Sequence, residues 1–396
     1  MKRRIFFKNT ALASGTLLVP NFLKAFDDLL LNVKGYKRLV IIHLDGGNDG
    51  LNTIIPYRND VYYRQRPKLA IERNKVLQVS DNLGFHPSLS ALRSLYDNGE
   101  MAILNNVGYP NPIRSHFRSA DIWKTASASE EYLKTGWIGR YLDQNAKEPY
   151  YAIEVDDSLS FALKGETLNG IATKDAQRLY KAVQTPFFKR LIANYDNQHL
   201  SEHNLGYLYK TLIQAESSAK YIFEKSNIAS SNVDYEKGDF PKQLKTVARF
   251  INSRLKTKVY YTSLSGFDTH AGQLNKQARL LKVYAKGIQS FIKDLKAGGS
   301  YDDTLILTFS EFGRRVEQNA ANGTDHGAAN NLFIIGKNLK KAGFYNPLAD
   351  LRKLDENGDI KYTIDFRSVY ATILNNWLAA DDKAILNYQF EKLNFI

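Results

Sequence analysis

The chain of 396 residues contains no cysteine. That absence excludes disulfides, thiolate metal sites, a cysteine nucleophile and a lipid-modified cysteine. Any metal must therefore be held by oxygen and imidazole ligands. No segment has 18 uninterrupted apolar residues, so no transmembrane helix is expected. Blocks of Arg and Lys interleaved with aromatics are missing too, and a nucleic-acid partner is not expected. Neither an internal repeat nor a low-complexity linker interrupts the chain, which favours one domain. Acidic residues are in short supply, 41 against 54 Lys and Arg, a net charge of +13. Such a surface attracts anions such as phosphate or sulfate esters and acidic polysaccharide, or is simply diffusely basic.

Hydrophobic residues make up 43% of the sequence and charged residues 24%, the balance of an ordinary globular protein with a large core. At the N-terminus Arg3 and Arg4 precede Ile5-Phe6-Phe7-Lys8 and a short apolar run, Ala11 to Val19. A basic segment before a short apolar one is a signal-peptide pattern. Its Arg-Arg-x-Phe-x-Lys spacing resembles a twin-arginine signal, which implies export of a folded protein to the periplasm or the exterior. Residues 1–26 are read as that signal and 36–396 as the mature domain, with no stable membrane insertion after export. A basic amphipathic first helix is the alternative.

Short apolar runs alternate with helical patterns. Strands are expected at 36–44, 101–104, 259–262, 304–309 and 332–336, and helices at about 87–98, from 115, and at 201–227, 242–255 and 274–296. This alternation predicts a parallel or mixed sheet covered on both faces. The polar residues of interest follow the strands. Asp45 closes the first and runs into Gly46-Gly47. Asp268 and His270 follow a later strand, Glu311 follows the next, and Asp325-His326 lie in a loop just before the last. Ligands of open α/β sheets bind outside the carboxyl ends of the strands. Asp45, Asp268, His270, Glu311, Asp325 and His326 are therefore the candidate ligands of a divalent metal, Zn²⁺, Mn²⁺ or Mg²⁺. Asp268 and His270 would share a side of an extended segment. Gly323 and Gly327 would ease the turn that Asp325 and His326 need.

Each residue has a structural alternative. Asp45 suits a turn, Asp268-Thr269 suits a helix cap, and Glu311 could pair with Arg314 or Arg315. A second group is Arg114-Ser115-His116-Phe117. Ser115 at a helix N-terminus would have backbone N–H groups beside it that favour an anion, and Arg114 could hold a phosphate or sulfate. His116 could orient Ser115 or act as an acid. Ser115 as an ordinary N-cap is the alternative.

Taken together, Leu44-Asp45-Gly46-Gly47-Asn48-Asp49-Gly50-Leu51-Asn52-Thr53, Arg114-Ser115-His116-Phe117, Gly266-Phe267-Asp268-Thr269-His270, Ser310-Glu311-Phe312-Gly313-Arg314 and Asp325-His326-Gly327 resemble an exported family of unknown function, domain of unknown function 1501. That family looks like a branch of the alkaline phosphatase and sulfatase superfamily. The resemblance implies a three-layer α/β/α sandwich with a largely parallel sheet, one or two divalent metals held by Asp and His at strand ends, and a nucleophile at a helix N-terminus. On this chain it points to Asp45, Asp268, His270 and His326 as ligands, with Ser310-Glu311 in the place of an Asp-His pair and Ser115 in the place of the nucleophile. Arg114, Asn48 and Arg314 would hold the anionic substrate. The departures are equally specific. Glu311-Phe312 lacks the histidine of the phosphatase pair, Asp268 and His270 are closer together than usual, and no formylglycine can form without cysteine or a sulfatase-type consensus around Ser115. The expected activity is metal-dependent hydrolysis of phosphate or sulfate esters, small or polysaccharide, by a serine nucleophile or a metal-bound water. A non-catalytic cell-envelope binding or assembly protein that keeps the fold is the alternative.

Overall fold

Successive side chains of a strand leave on opposite faces, and in Arg38–Asp45 both faces are covered. Leu39 and Ile41 join one apolar cluster, while Val40, Ile42 and Leu44 join the other. A strand buried on both sides is the pattern of a parallel sheet between two helical layers. The computed structural model describes residues 35–193 and 204–396. Its long strands are β1 (Arg38–Asp45), β2 (Met101–Gly108), β5 (Val259–Ser265), β6 (Thr304–Phe309) and β7 (Asn330–Ile335). Four short ones complete the sheet: β3 (Ala152–Glu154), β4 (Ile171–Ala172), β8 (Gly343–Phe344) and β9 (Ile364–Asp365). The spatial order is β8-β2-β7-β6-β1-β5-β3-β4, with β9 also on β2.

All pairings are parallel except those of β7, which runs antiparallel to β2 and β6. Because β7 is reversed, its N-terminal end lies at the edge where the other strands have their C-terminal ends. The loop that leads into it, with Asp325 and His326, reaches the same edge as the loops that follow β1, β5 and β6.

Helix α1 (His116–Thr125), α2 (Trp137–Asn145), α3 (Asp239–Asn252), α4 (Gln273–Ala297) and α5 (Phe366–Thr372) cover the sheet. Leu244, Val247 and Phe250 of α3 pack with Leu281, Tyr284 and Phe291 of α4 on one face. Ile122 and Trp123 of α1, Trp137 and Ile138 of α2, and Phe366 and Tyr370 of α5 pack on the other. The result is a three-layer α/β/α sandwich with a largely parallel central sheet. The apolar spacing along α4, through Leu281, Tyr284, Ile288, Phe291 and Leu295, keeps one face in the core. Each such side chain contributes roughly 1.5–3 kcal/mol on burial. The helix stops at Gly298-Gly299, the latter at φ +69°.

Residues 87–98 divide into a 3₁₀ segment, Pro87–Leu92, and a short α-helix, Arg93–Asp97. Ser88 and Ser90 are modest helix formers there. In the stretch from 150 to 235, whose pattern is mixed, β3 and β4 are three and two residues long, too short to leave a periodicity. The long helix expected at 201–227 runs over Asn204–Ser226. Residues 1–26, read as a signal, lie outside the described residues. Among the described residues no helix is long and apolar enough to cross a membrane.

Candidate metal centre

The loop after β1 turns sharply. Gly46 and Gly47 have φ of +113° and +71°, a region that side chains strain to enter. Space is also short. A Cβ on Gly46 would lie 2.5 Å from the amide nitrogen of Asp268, and one on Gly47 would lie 2.3 Å from the Phe312 ring. Arg314, 2% exposed, fastens this loop to its neighbours. Its Nε donates to Gly47 O (2.7 Å), Nη1 to Thr324 O (2.8 Å), and Nη2 to Gly46 O (2.6 Å), Phe267 O (3.0 Å) and Asp268 Oδ1 (2.8 Å). One guanidinium thus locks three loops at the sheet edge.

Three histidines converge on Asp268. Its Oδ1 lies 3.4 Å from His116 Nε2, 3.0 Å from His270 Nε2 and 3.5 Å from His326 Nε2. The Nε2 atoms of His270 and His326 are 2.9 Å apart. Each ring is held from behind through Nδ1: His116 by Glu311 Oε1 (2.8 Å), His270 by Asp325 Oδ1 (3.2 Å) and His326 by the carbonyl of Arg114 (2.6 Å). A carbonyl can only accept, and so can an ionised carboxylate. The tautomer that follows from these acceptors has the proton on Nδ1 and leaves the Nε2 lone pair facing the centre. His116 Nε2 is buried and has no hydrogen-bond partner. Ligand atoms of His116, Asp268 and His326 all lie within 4.8 Å of one another. This donor set fits a divalent transition metal, because metal-bound histidines commonly hold their second nitrogen in this way.

The electrostatics follow from the same contacts. The hydrogen bond to Glu311 raises the His116 imidazole against the effect of burial, helped by the charges of Glu311 and Asp268. Burial lowers His326, and the charges of Arg314, His116 and His270 add to it. Burial pushes the Asp268 carboxyl up, but the hydrogen bond and charge of Arg314, with His270 and His116, bring it down to about 2. The hydrogen bond from Asn319 leads the lowering of Asp325.

Behind His116 the Glu311 carboxylate is fully buried. Its Oε1 also accepts from Gly46 N (3.0 Å), and Oε2 pairs with His43 Nε2 (3.0 Å). Burial pushes this carboxyl up, yet the hydrogen bonds from His116 and His43 hold it well below the usual range. The His43 ring stacks on Phe309 with centroids 4.8 Å apart, and Phe309 stacks on Trp123. His43 was not among the residues that the strand-end pattern selects. Its signal is the two-residue step to Asp45, which places both on one face of β1. His43, Asp45 and Glu311 form a second group whose ligand atoms lie within 4.8 Å of one another.

The other expected residues have definite places. Asp325 stands behind His270, and Glu311 stands between His116 and His43. Ser115 occupies the N-cap position of α1, exposed, and its side chain makes no capping bond. The Arg114 guanidinium donates to Asp359 Oδ2 through Nε (2.8 Å) and Nη2 (2.5 Å). Asn48 is buried, with its Oδ1 accepting from Thr53 Oγ1 (3.0 Å) and Gln277 Nε2 (2.8 Å). Arg314 and Asn48 are thus built into the scaffold of the loops. Gly323 and Gly327 serve close approach and not an unusual turn. A Cβ on Gly323 would lie 2.2 Å from the carbonyl carbon of His270, and one on Gly327 would lie 2.7 Å from that of Arg314.

Fold and site together define an α/β/α sandwich protein with a candidate metal centre at the carboxyl edge of its sheet. The chain belongs to the DUF1501 family of proteins of unknown function, whose model matches residues 36–388. No curated protein matches it. Among solved structures it is similar to the lipoteichoic acid synthase LtaP from Listeria monocytogenes, with 10% identity, TM-score 0.38, and coverage of 78% of this chain and 68% of that one. The PsFucS1 sulfatase from Pseudoalteromonas sp. gives 11%, 0.39, 91% and 71%. The C-terminal periplasmic domain of EcEptC from Escherichia coli in complex with Zn gives 12%, 0.34, 77% and 74%. At these scores the likeness says nothing of a reaction, and the site has to be read from its own geometry.

Proposed function

We propose that the chain is an exported, divalent-metal-dependent hydrolase of phosphate or sulfate esters. The observation that carries this reading is the orientation of three imidazoles, with Nδ1 of His116, His270 and His326 each tied to an oxygen and Nε2 of each turned to Asp268. His116, His270, His326 and Asp268 would hold the ion, and the imidazole donors favour Zn²⁺ or Mn²⁺ over Mg²⁺. A bound ion supplies Lewis-acid polarisation of an ester oxygen and stabilises the charge that develops on the transferred group. Glu311 and Asp325 orient the rings of His116 and His270. Ser115, exposed beside His116, is the candidate nucleophile, and the free N–H groups of the first turn of α1 suit anionic oxygens.

Elemental analysis of protein purified without chelator, repeated on Asp268→Ala and His326→Ala, tests the centre. Stoichiometric metal in the wild type and its loss in both variants is the expected result. Unchanged metal in both variants overturns the ligand set. Panels of aryl phosphates and sulfates test the reaction, and Ser115→Ala separates attack by serine from attack by water.

One observation favours a second reading, a cell-envelope binding or assembly protein without turnover. The two arginines expected to hold the substrate are already engaged, Arg114 with Asp359 and Arg314 with four carbonyl oxygens and Asp268. Retained metal with no hydrolysis of any ester in the panels would select it.

A further inference from the structure

Away from the metal centre, and sharing no residue with it, a cleft of about 930 Å³ opens between two rigid walls. That volume is near the upper end of small-molecule pockets, roughly 300–1,000 Å³. One wall is the segment from Pro56 to Arg64, with Ser80 to Leu83 beside it. The other is the strap from Phe344 to Arg352.

Both walls are pinned by buried polar side chains. Asn105 N donates to Asn346 Oδ1 (2.8 Å), Asn346 Nδ2 returns a bond to Asn105 O (2.8 Å), and Asn105 Nδ2 donates to Asn346 O (2.9 Å). Asn106 continues the pin, with Nδ2 to Pro347 O (3.0 Å) and Oδ1 accepting from Ala349 N (3.0 Å). Asn106 does so from the left-handed region, at φ +54°. On the opposite wall Tyr57 OH reaches the carbonyls of Ser80 and Asp81, both at 2.8 Å. Asn59 caps the helix Asp60–Gln65 through its Oδ1. Walls held this firmly lose little entropy when a ligand enters.

The lining has a definite chemistry. Asp350 is occupied by Arg352, which donates to both of its oxygens at 2.9 Å. Asp60 sits in the first turn of its helix, where the helix dipole favours a carboxylate. Arg58 and Arg64 have no acidic partner among the described residues, although both are exposed into the cleft. The lining also carries amide groups, Asn59 and Asn82, and apolar side chains, among them Leu83, Phe344 and Pro347. Two guanidinium forks suit two anionic groups, which they bind bidentately. The amides suit hydroxyls, and the apolar surface suits the C–H face of a sugar ring. We infer that this cleft binds an acidic oligosaccharide, a sugar chain that carries sulfate or phosphate groups. The inference is independent of the hydrolase reading.

The test is titration calorimetry on the full chain with a heparin-derived sulfated tetrasaccharide, its desulfated counterpart and inorganic sulfate. The wild type binds the sulfated sugar and neither of the others at the same concentration. The double variant Arg58→Ala/Arg64→Ala keeps its melting temperature and binds at least tenfold more weakly. Arg58→Lys/Arg64→Lys recovers only part of the loss, because the charge returns without the fork. His326→Ala binds like the wild type, so failure of the metal centre and failure of the cleft are distinguishable. A control variant, Arg178→Ala/Lys181→Ala, removes two charges from an exposed helix elsewhere. If it weakens binding as much as the cleft variant does, the attraction is diffuse and the proposal falls. Equal binding of the desulfated sugar, binding of inorganic sulfate as tight as that of the tetrasaccharide, or no binding of the sulfated sugar overturns it too.

Discussion

Glu311 shows how much one side chain can be asked to do. Its two oxygens, themselves buried, take His116, His43 and the amide of Gly46. Glu311→Gln keeps the shape but offers one acceptor in place of two. We expect it to weaken metal binding by roughly 10–100-fold, as losses behind a ligating histidine do, and competition with a chromophoric chelator measures this. Glu311→Ala leaves buried donors without a partner and should cost on the order of 3–5 kcal/mol of stability, read in a denaturant titration. Glu154, at the end of β3, is a different case. Burial raises its carboxyl from 4.5 to about 7, against the hydrogen bonds from Ser160 and the charge of Lys124. The folded protein therefore binds this proton more tightly than the unfolded chain does. The stability it confers is full below about pH 4.5 and is lost as pH rises through about 7. Glu154→Gln should match the wild type at pH 4 and exceed it at pH 8, by on the order of 3 kcal/mol. Equal stability at both pH values would refute this account.

At the scale of elements, the site depends on loops that a sheet edge brings together and one arginine fastens. Gly46 lies where the loop after β1 touches the backbone of Asp268. Gly46→Ala forces a Cβ into that contact and strains a positive φ, which together cost on the order of 1–3 kcal/mol. Since the obstructing atom belongs to the chain that carries Asp268, metal affinity should fall along with the melting temperature. A variant that melts early yet keeps full affinity would show that the two loops are not coupled. The reversed strand β7 is the second device. Run parallel, it would have carried Asp325 and His326 to the opposite edge of the sheet.

For the whole molecule, a ligand that binds only the folded state stabilises it by mass action. Ion at a hundredfold excess over its dissociation constant adds roughly 2.7 kcal/mol. Chelator treatment should therefore lower the melting temperature of the wild type, with recovery as Zn²⁺ or Mn²⁺ is titrated back. His326→Ala should melt at one temperature with or without chelator. If chelator strips the metal and leaves the melting temperature of the wild type unmoved, the centre does not contribute to folding stability.

Sequence alone determined the layers and which polar residues stand beside the strand ends. Short apolar runs between amphipathic helices specify a sheet covered on both faces, because that arrangement buries strands with no polar side. The placement of Asp45, Asp268, His270, Glu311 and His326 beside strand ends was legible for the same reason. Tertiary structure decided which of them touch. Asp325 and Glu311 stand behind histidines, and His116 joins the cluster from a helix after β2, since three-dimensional convergence leaves no local periodicity. The buried His43 and the locking role of Arg314 also depend on contacts across more than 260 residues of chain. Chain spacing says nothing about contacts of that range. They exist only once the sheet has set its strand order and the direction of β7.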